Sequence, residues 1–357
     1  MPATIASFKI DFYQFLSPDG RLISDDVPPL AHDMEELTSL YQQMVTTRIF
    51  DKKAVALQRT GRMGTYASCL GHEAVQISVG SAMRPEDCYA PTYREHGVQL
   101  CRGVKMSEIL TYWGGDERGS DFSGPRHDFA CSIPIATQSL HAAGAALAFK
   151  LRGEKRVAVT QVGDGGSSKG DFLEAINAAS AFQLPLVLVI VNNQWAISTP
   201  RSKQNSATTL AQKGIGGGLP SIQVDGNDVI ACRWVLENAI EQARAGKGPT
   251  VIEMMTYRLT DHTTADDARH YRKEEEVENA WQMEPIKRLR KYLMAQGVWS
   301  DKRELVLLGE AGREVEAAVA KYLSVGEPEI GSMFDYLYAN MPAELEAQRS
   351  SAIEEHD

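Results

Sequence analysis

Two stretches in the middle of the chain are apolar at almost every position. They are KRVAVTQV, ending at Val162, and PLVLVIV, ending at Val191. A strand with one wet face alternates polar and apolar residues, whereas a strand covered on both faces does not. Both runs therefore predict interior strands of a parallel sheet. Between them, GDFLEAINAASAF has apolar residues at helical spacing, which predicts a crossover helix. The later runs SIQV and TVIEMMTY continue the alternation with helical segments. The fold class predicted is α/β, a mostly parallel sheet with helices on both faces.

The flanking pattern fills in the rest. DMEELTSLYQQMVTTRIFDKKAVALQRTG predicts one long helix with an acidic start and a stop at Gly61. HEAVQISVGSAM and EHGVQLCRG predict short helices on either side of a strand in CYAPTY, and MSEILTYWGG predicts another helix. From Gly114 to Cys131 there is no periodicity, and a loop of that length suggests function. TQSLHAAGAALAFKLRG predicts a helix whose small residues, Ala142 to Ala146, suit close packing, with a second subunit as a candidate partner. Beyond Arg272 the pattern is helical. Residues 1–33 are polar, carry the turns SPDG and DVPP, and read as an extended arm. Residues 34–330 read as one domain, and 331–357 as a helical tail.

Candidate chemistry sits at the ends of the two apolar runs. The first leads into Gly163-Asp164-Gly165-Gly166, and the second into Asn192-Asn193. Parallel strands joined by a crossover helix present both turns at one sheet edge, where ligands of such sheets bind. Asp164 offers a carboxylate oxygen and Asn193 an amide oxygen, hard ligands suited to Mg²⁺ alongside phosphate oxygens. The glycines let backbone N–H groups approach a phosphate. A tight turn without function is the competing reading. A dinucleotide loop fits poorly, because Ser168 stands where the third glycine belongs, and no P-loop motif occurs.

The pair GDG and NN resembles the thiamin-diphosphate motif, and the likeness extends from about Arg48 to Arg272. TYASCLGHEA, APTYREHG, SIPIATQ, VGDGGSSKGDFLEAINAA, VNNQWAISTP, IQVDGND and YRLTDHTTADDARHYR, in that order, resemble the α subunits of the heterotetrameric thiamin-dependent 2-oxo acid dehydrogenases. The resemblance implies thiamin diphosphate and Mg²⁺, the ion held by Asp164, Asn193 and the main-chain carbonyl of Trp195. It implies that Tyr93 and Arg94 contact the diphosphate, and that residues around Ile133 and Ile135 meet the cofactor rings. It implies that His262 lies over the cofactor and handles substrate or acyl acceptor, and that Glu73 joins a proton path. For Glu73 a solvated helix-start carboxylate remains the alternative, and for Ile135 a core side chain. Ser132, Pro134, Thr137 and Gln138 match positions that hold K⁺ in some branched-chain relatives, although turn and cap roles explain them too.

This chain departs from the family pattern at Val191, where some relatives carry a phosphate-binding Arg, and at Lys169, where Glu or Gln is common. Thr263 matches a phosphorylated Ser of mitochondrial relatives. The implied partners are a β subunit in an α₂β₂ tetramer, which brings the activating Glu, and the lipoyl domain of a dihydrolipoyl acyltransferase. The implied reaction is decarboxylation of a small 2-oxo acid with acyl transfer to lipoyl. Pyruvate leads, and the branched-chain 3-methyl-2-oxobutanoate is the alternative. An acetoin-cleaving relative and a non-catalytic Mg²⁺-diphosphate binding protein are the other readings.

Composition changes this picture little. The chain has 357 residues, 43% hydrophobic and 24% charged, with a net charge of −10. That charge argues against a nucleic-acid partner. The five cysteines are scattered and form no CxxC, which suits reduced thiols. No membrane span or secretion signal is read, and a cytoplasmic location is expected.

Overall fold

The computed structural model describes residues 2–356. The strands are β1 (Asp11–Tyr13), β2 (Cys88–Ala90), β3 (Ala158–Gly163), β4 (Leu186–Asn192), β5 (Trp195–Ala196), β6 (Thr199–Pro200), β7 (Ser221–Asp225) and β8 (Thr250–Met255). The helices that precede β4 are α1 (Met34–Arg59), α2 (Glu73–Ala82), α3 (His96–Cys101), α4 (Met106–Trp113), α5 (Thr137–Arg152) and α6 (Gly170–Phe182). Those that follow are α7 (Arg201–Gln204), α8 (Gln212–Gly216), α9 (Val229–Arg244), α10 (Glu274–Gln282), α11 (Pro285–Ala295), α12 (Asp301–Leu323), α13 (Ser332–Asp335) and α14 (Ala343–Glu354).

Six strands form one sheet in the order β1-β7-β8-β4-β3-β2, and every neighbouring pair is parallel. β3, α6 and β4 make the expected crossover unit, with Gly163 in register with Val191. The two faces of β4 explain its unbroken apolar run. Val187, Val189 and Val191 pack with α2 and α9 side chains such as Val75 and Leu236. Leu186, Leu188 and Ile190 pack on the other face with Ala142, Ala146, Phe172 and Ala175 from α5 and α6. Part of the small-residue face of α5 packs inside the chain: Ala142, Ala143 and Ala146 are buried against α6 and the sheet, whereas Gly144 is exposed and Ala145 half-buried. None of the described helices is long and apolar enough to cross a membrane.

Residues 1–33 do more than extend over the surface. β1 closes the sheet edge against β7, and Leu16 and Ala31 are fully buried with α1 and α11. Asp228 makes this attachment. Its Oδ2 accepts from the backbone N–H groups of Phe15 (2.6 Å) and Leu16 (2.7 Å), while Oδ1 caps α9 through Ile230 (3.0 Å). Beside it, Arg288 of α11 pairs with Asp225 at 2.6 Å and donates to the Leu16 carbonyl at 3.1 Å. Asp228→Ala should lower unfolding stability by about 1–2 kcal/mol, the range for a lost cap. It should also make the chain before Leu16 sensitive to protease, as read by denaturant titration and limited proteolysis.

Candidate active site

Because the strands are parallel, the loops after β2, β3, β4 and β8 meet at one edge of the sheet. They enclose a cavity of about 360 Å³ lined by Tyr93 and Arg94, Gly163 to Gly166, Asn193 to Ile197, and His262. His72, Thr92, Glu95, Ile135 and Lys169 also line it. A volume of this size suits a small-molecule ligand. A larger cavity of about 610 Å³ lies between α1, α4 and α12, and none of these residues lines it.

The glycine turn is sterically obligatory. A Cβ at Gly165 would lie 2.5 Å from the Ala196 Cβ, and one at Gly166 would lie 2.5 Å from Val162 Cγ2. The following hairpin, β5–β6, is strained at its corners. Gln194 and Ile197 hold left-handed backbone, with φ of 73° and 56°. That conformation is uncommon for any residue other than glycine, and a true outlier for β-branched Ile197. The two residues bracket Trp195 and Ala196 at the cavity wall.

Asp164 is 1% exposed, and its Oδ2 has no hydrogen-bond partner among the described residues. Burial pushes its carboxyl up to about 6. Such an oxygen calls for a cation or a donor from outside the chain. Asn193 Oδ1 accepts from the Trp195 N–H at 3.2 Å, and the Trp195 carbonyl accepts from Arg258 Nη1 at 3.3 Å. Each of these two oxygens keeps a second lone pair for a cation. No cluster of three His, Cys, Asp or Glu groups spaced for a metal occurs among the described residues. One carboxylate with amide and carbonyl oxygens is instead a donor set for Mg²⁺.

Arg94, which lines the same cavity, clamps two segments together. Its Nη1 donates to the Ser68 carbonyl at 2.5 Å and its Nη2 to the His262 carbonyl at 2.8 Å. Asp51, buried in α1, holds the Ser68 segment through Ser68 Oγ (2.6 Å), Cys69 N (2.8 Å) and Tyr66 Oη (3.0 Å). Tyr66 and Thr264 exchange two bonds, 2.8 and 2.9 Å, so the loop carrying His262 docks on the same segment. Within that loop, His262 N donates to Asp266 at 2.8 Å and Ala268 N to Asp261 at 2.9 Å.

Arg94 Nη2 lies 3.2 Å and Arg258 Nη1 3.5 Å from His262 Nδ1. Two guanidinium donors on Nδ1 leave the ring proton on Nε2, which is 3.5 Å from the Tyr93 hydroxyl. Burial, then Arg94 and Arg258, hold the His262 pKa down at about 4. The ring is therefore a neutral Nε2–H donor over the working pH range.

Residues 41–330 match the model of the family described as "Dehydrogenase E1 component". Among curated proteins, the chain is 40% identical to the pyruvate dehydrogenase E1 component subunit alpha of Staphylococcus epidermidis, over 95% of this chain and 92% of that protein. It is also 40% identical to the 3-methyl-2-oxobutanoate dehydrogenase subunit alpha of Mycobacterium tuberculosis, over 97% of this chain and 94% of the relative. The chain belongs to the dehydrogenase E1 component family.

Most, though not all, of the residues anticipated for an E1 site meet in the cavity. Tyr93, Arg94, Ile135, Gly163, Asp164, Gly165, Gly166, Asn193, Trp195 and His262 line it. Ile133 does not; it is 51% exposed and lies outside the cavity wall. Glu73 does not either, nor is it a solvated helix-start residue. It is fully buried, its Oε1 accepting from Arg48 at 2.7 Å and its Oε2 from Gly71 N at 2.9 Å. Arg48 spans from Glu73 to Glu284 at 2.7 Å, so Glu73 is held in a buried ion pair. Lys169 stands exposed at the cavity rim, and Val191 lines the wall. Around the anticipated K⁺ position, Thr137 donates to Asp171 at 3.2 Å and Ser132 to the Pro134 carbonyl at 3.4 Å. Gln138 donates through Nε2 to the Gln161 carbonyl at 2.7 Å and keeps a buried Oε1 without a partner among the described residues.

Three features in or around the cavity carry no role in the sequence pattern alone: Arg258, His72 and the Asp51 brace. Arg258 and His72 both fall inside family-like blocks, which was the one available signal. Replacing Arg94 with Gln should raise the His262 pKa from about 4 toward its ordinary value, because a neighbouring cation is lost. The unfolded ring binds more protons than the folded one between about pH 4 and the ordinary value near 6.5, so stability falls as pH drops through that window. Ring-resonance titration by NMR reads the first effect, and unfolding against pH in the Arg94→Gln variant should show the window narrowed.

Proposed function

We propose that this chain is the α subunit of a thiamin-diphosphate-dependent 2-oxo acid dehydrogenase with pyruvate as its substrate. The observation that carries the reading is Asp164, a buried carboxylate with an unpartnered oxygen, set at the strand ends beside Asn193 and across from Arg94. The identity of both relatives supports the 2-oxo acid class.

In this reading Asp164, Asn193 and the Trp195 carbonyl hold Mg²⁺, and Tyr93 and Arg94 meet the diphosphate. The backbone of Gly163 to Gly166 closes over it. When bound, the cofactor supplies the carbanion stabilisation that loss of CO₂ from a 2-oxo acid requires. Ile135 and Ile197 offer apolar walls. His262, neutral and carrying its proton on Nε2, donates a hydrogen bond to substrate or acyl acceptor. K⁺ at Ser132, Pro134, Thr137 and Gln138 is a minor part of the reading and rests on Gln138 Oε1.

The site is read as half of a split one. Of the two carboxylates in the cavity, Asp164 is assigned to the metal, and Glu95 accepts from Thr92 Oγ1 at 2.6 Å. Neither is available to activate the cofactor, which supports a β subunit as its source. Two apolar side chains of the cavity lining, Ile135 and Ile197, are 39% and 56% exposed and suit coverage by that subunit. The acyl acceptor is the lipoyl domain of a dihydrolipoyl acyltransferase.

The branched-chain reading has a specific observation in its favour, since a 3-methyl-2-oxobutanoate dehydrogenase subunit matches as closely as a pyruvate one. Steady-state turnover by the reconstituted αβ enzyme decides between them. The proposal expects a higher kcat/KM for pyruvate than for 3-methyl-2-oxobutanoate, and the reverse order would replace it. The isolated chain should decarboxylate neither. His262→Ala should bind cofactor yet lose acyl transfer to a free lipoyl domain more than CO₂ release to an artificial electron acceptor. Equal losses in the two assays would remove its special role in transfer.

A further inference from the structure

His72 opens α2 directly behind the segment that Arg94 clamps, and its side chain lines the same cavity as Asp164 and Arg94. The residue is 2% exposed. Its backbone is fixed at both ends: its N–H donates to the Cys69 carbonyl at 2.9 Å, and its carbonyl accepts from Gln76 N at 3.0 Å. The main chain here is placed as firmly as the helix itself, yet the ring's Nε2 has no hydrogen-bond partner among the described residues.

The charged groups next to it in the chain or acting on its ring are committed elsewhere. The Glu73 carboxylate turns to Arg48 and Gly71. The Arg94 Nη atoms go to Ser68 and His262, and those of Arg258 to Trp195, Ile197 and Tyr271. Burial, and after it the positive charges of Arg94 and Arg258, keep the ring neutral. A neutral imidazole has one donor and one acceptor nitrogen, and a buried polar atom without a partner is an exception that calls for one. The charges around it narrow the choice. With two guanidinium groups nearby, the cavity at this point favours an anion, and a ring N–H completes its coordination.

We propose that His72 contacts the ligand of this cavity, hydrogen-bonding an anionic oxygen of it. That oxygen belongs either to the cofactor diphosphate or to the carboxylate of the 2-oxo acid, so the inference rests on the function proposed above.

The test uses the assembled αβ enzyme with His72→Phe, which keeps a ring of similar bulk without nitrogens, and His72→Gln, which keeps a neutral donor and acceptor. The dissociation constant of Mg²⁺-thiamin diphosphate is measured by calorimetry, and the KM for the 2-oxo acid at saturating cofactor. Loss of one bond to a charged group weakens the affected step roughly ten- to a hundred-fold. A loss in the first constant assigns the diphosphate, and a loss in KM alone assigns the carboxylate. In either case His72→Gln should recover much of it, whereas a merely structural role would change melting temperature without that split. If neither constant moves by more than about two-fold while assembly is normal, the inference is overturned. Wild-type enzyme with ¹⁵N-labelled histidine gives an independent reading should His72→Phe not assemble. The His72 resonance, identified by its loss in His72→Gln, should shift on adding Mg²⁺-thiamin diphosphate or the 2-oxo acid, and no shift with either ligand overturns the inference equally. If instead wild-type enzyme binds no thiamin diphosphate, the functional reading itself fails, which is a separate outcome.

Discussion

A parallel sheet covered on both faces can use polar side chains at few places. Each of β3, β4 and β8 is buried along nearly its whole length, so the chemistry is driven to the loops that leave the strand ends. Shared strand direction then brings together residues far apart in sequence. Arg94 follows β2, Asp164 ends β3, Asn193 follows β4 and His262 follows β8. Without the parallel register these four side chains would be divided between opposite edges of the sheet. The hydrophobic packing of Val187, Leu188, Val189 and Ile190 is therefore a condition of the site as well as of the fold.

Electrostatics at that edge are unbalanced by design of the neighbours. Asp164 is a buried carboxylate with no cation bonded to the unpartnered oxygen, and leaving such a group unmet costs on the order of 1–3 kcal/mol or more. At the same edge, Arg94 and Arg258 hold positive charge beside two imidazoles, His72 and His262, both kept neutral. A ligand with a divalent cation on one side and anionic oxygens on the other relieves both halves. A Mg²⁺-diphosphate has that polarity. The Asp51 brace and the Tyr66–Thr264 exchange fix the positive half, so the site does not collapse onto its own charges.

Much of this was legible in the sequence, for a physical reason in each case. β3 and β4 were readable because burial on both faces removes polar residues from every position. The glycine turn was readable because Ala196 and Val162 leave no room for a Cβ at Gly165 or Gly166. Other features depend on partners distant in the chain and leave no local trace. β1 lies in a polar stretch, and its pairing depends on β7 and on Asp228. Glu73 was read as a proton-path residue or a solvated helix-start carboxylate, and its burial was hidden because Arg48 and Glu284 come from two other segments. The alanines of α5 predicted close packing but could not say against what; Ala142, Ala143 and Ala146 meet α6 and the sheet. A single histidine such as His72 carries no spacing signal at all.

The site depends most on one oxygen, Asp164 Oδ2. Isothermal titration of thiamin diphosphate into the αβ assembly, with and without Mg²⁺, tests it most directly when Asp164→Ala is compared with the unaltered chain. The account predicts Mg²⁺-dependent binding to the unaltered protein and none to the variant, with the assembly intact in both. Undiminished affinity in Asp164→Ala would contradict it.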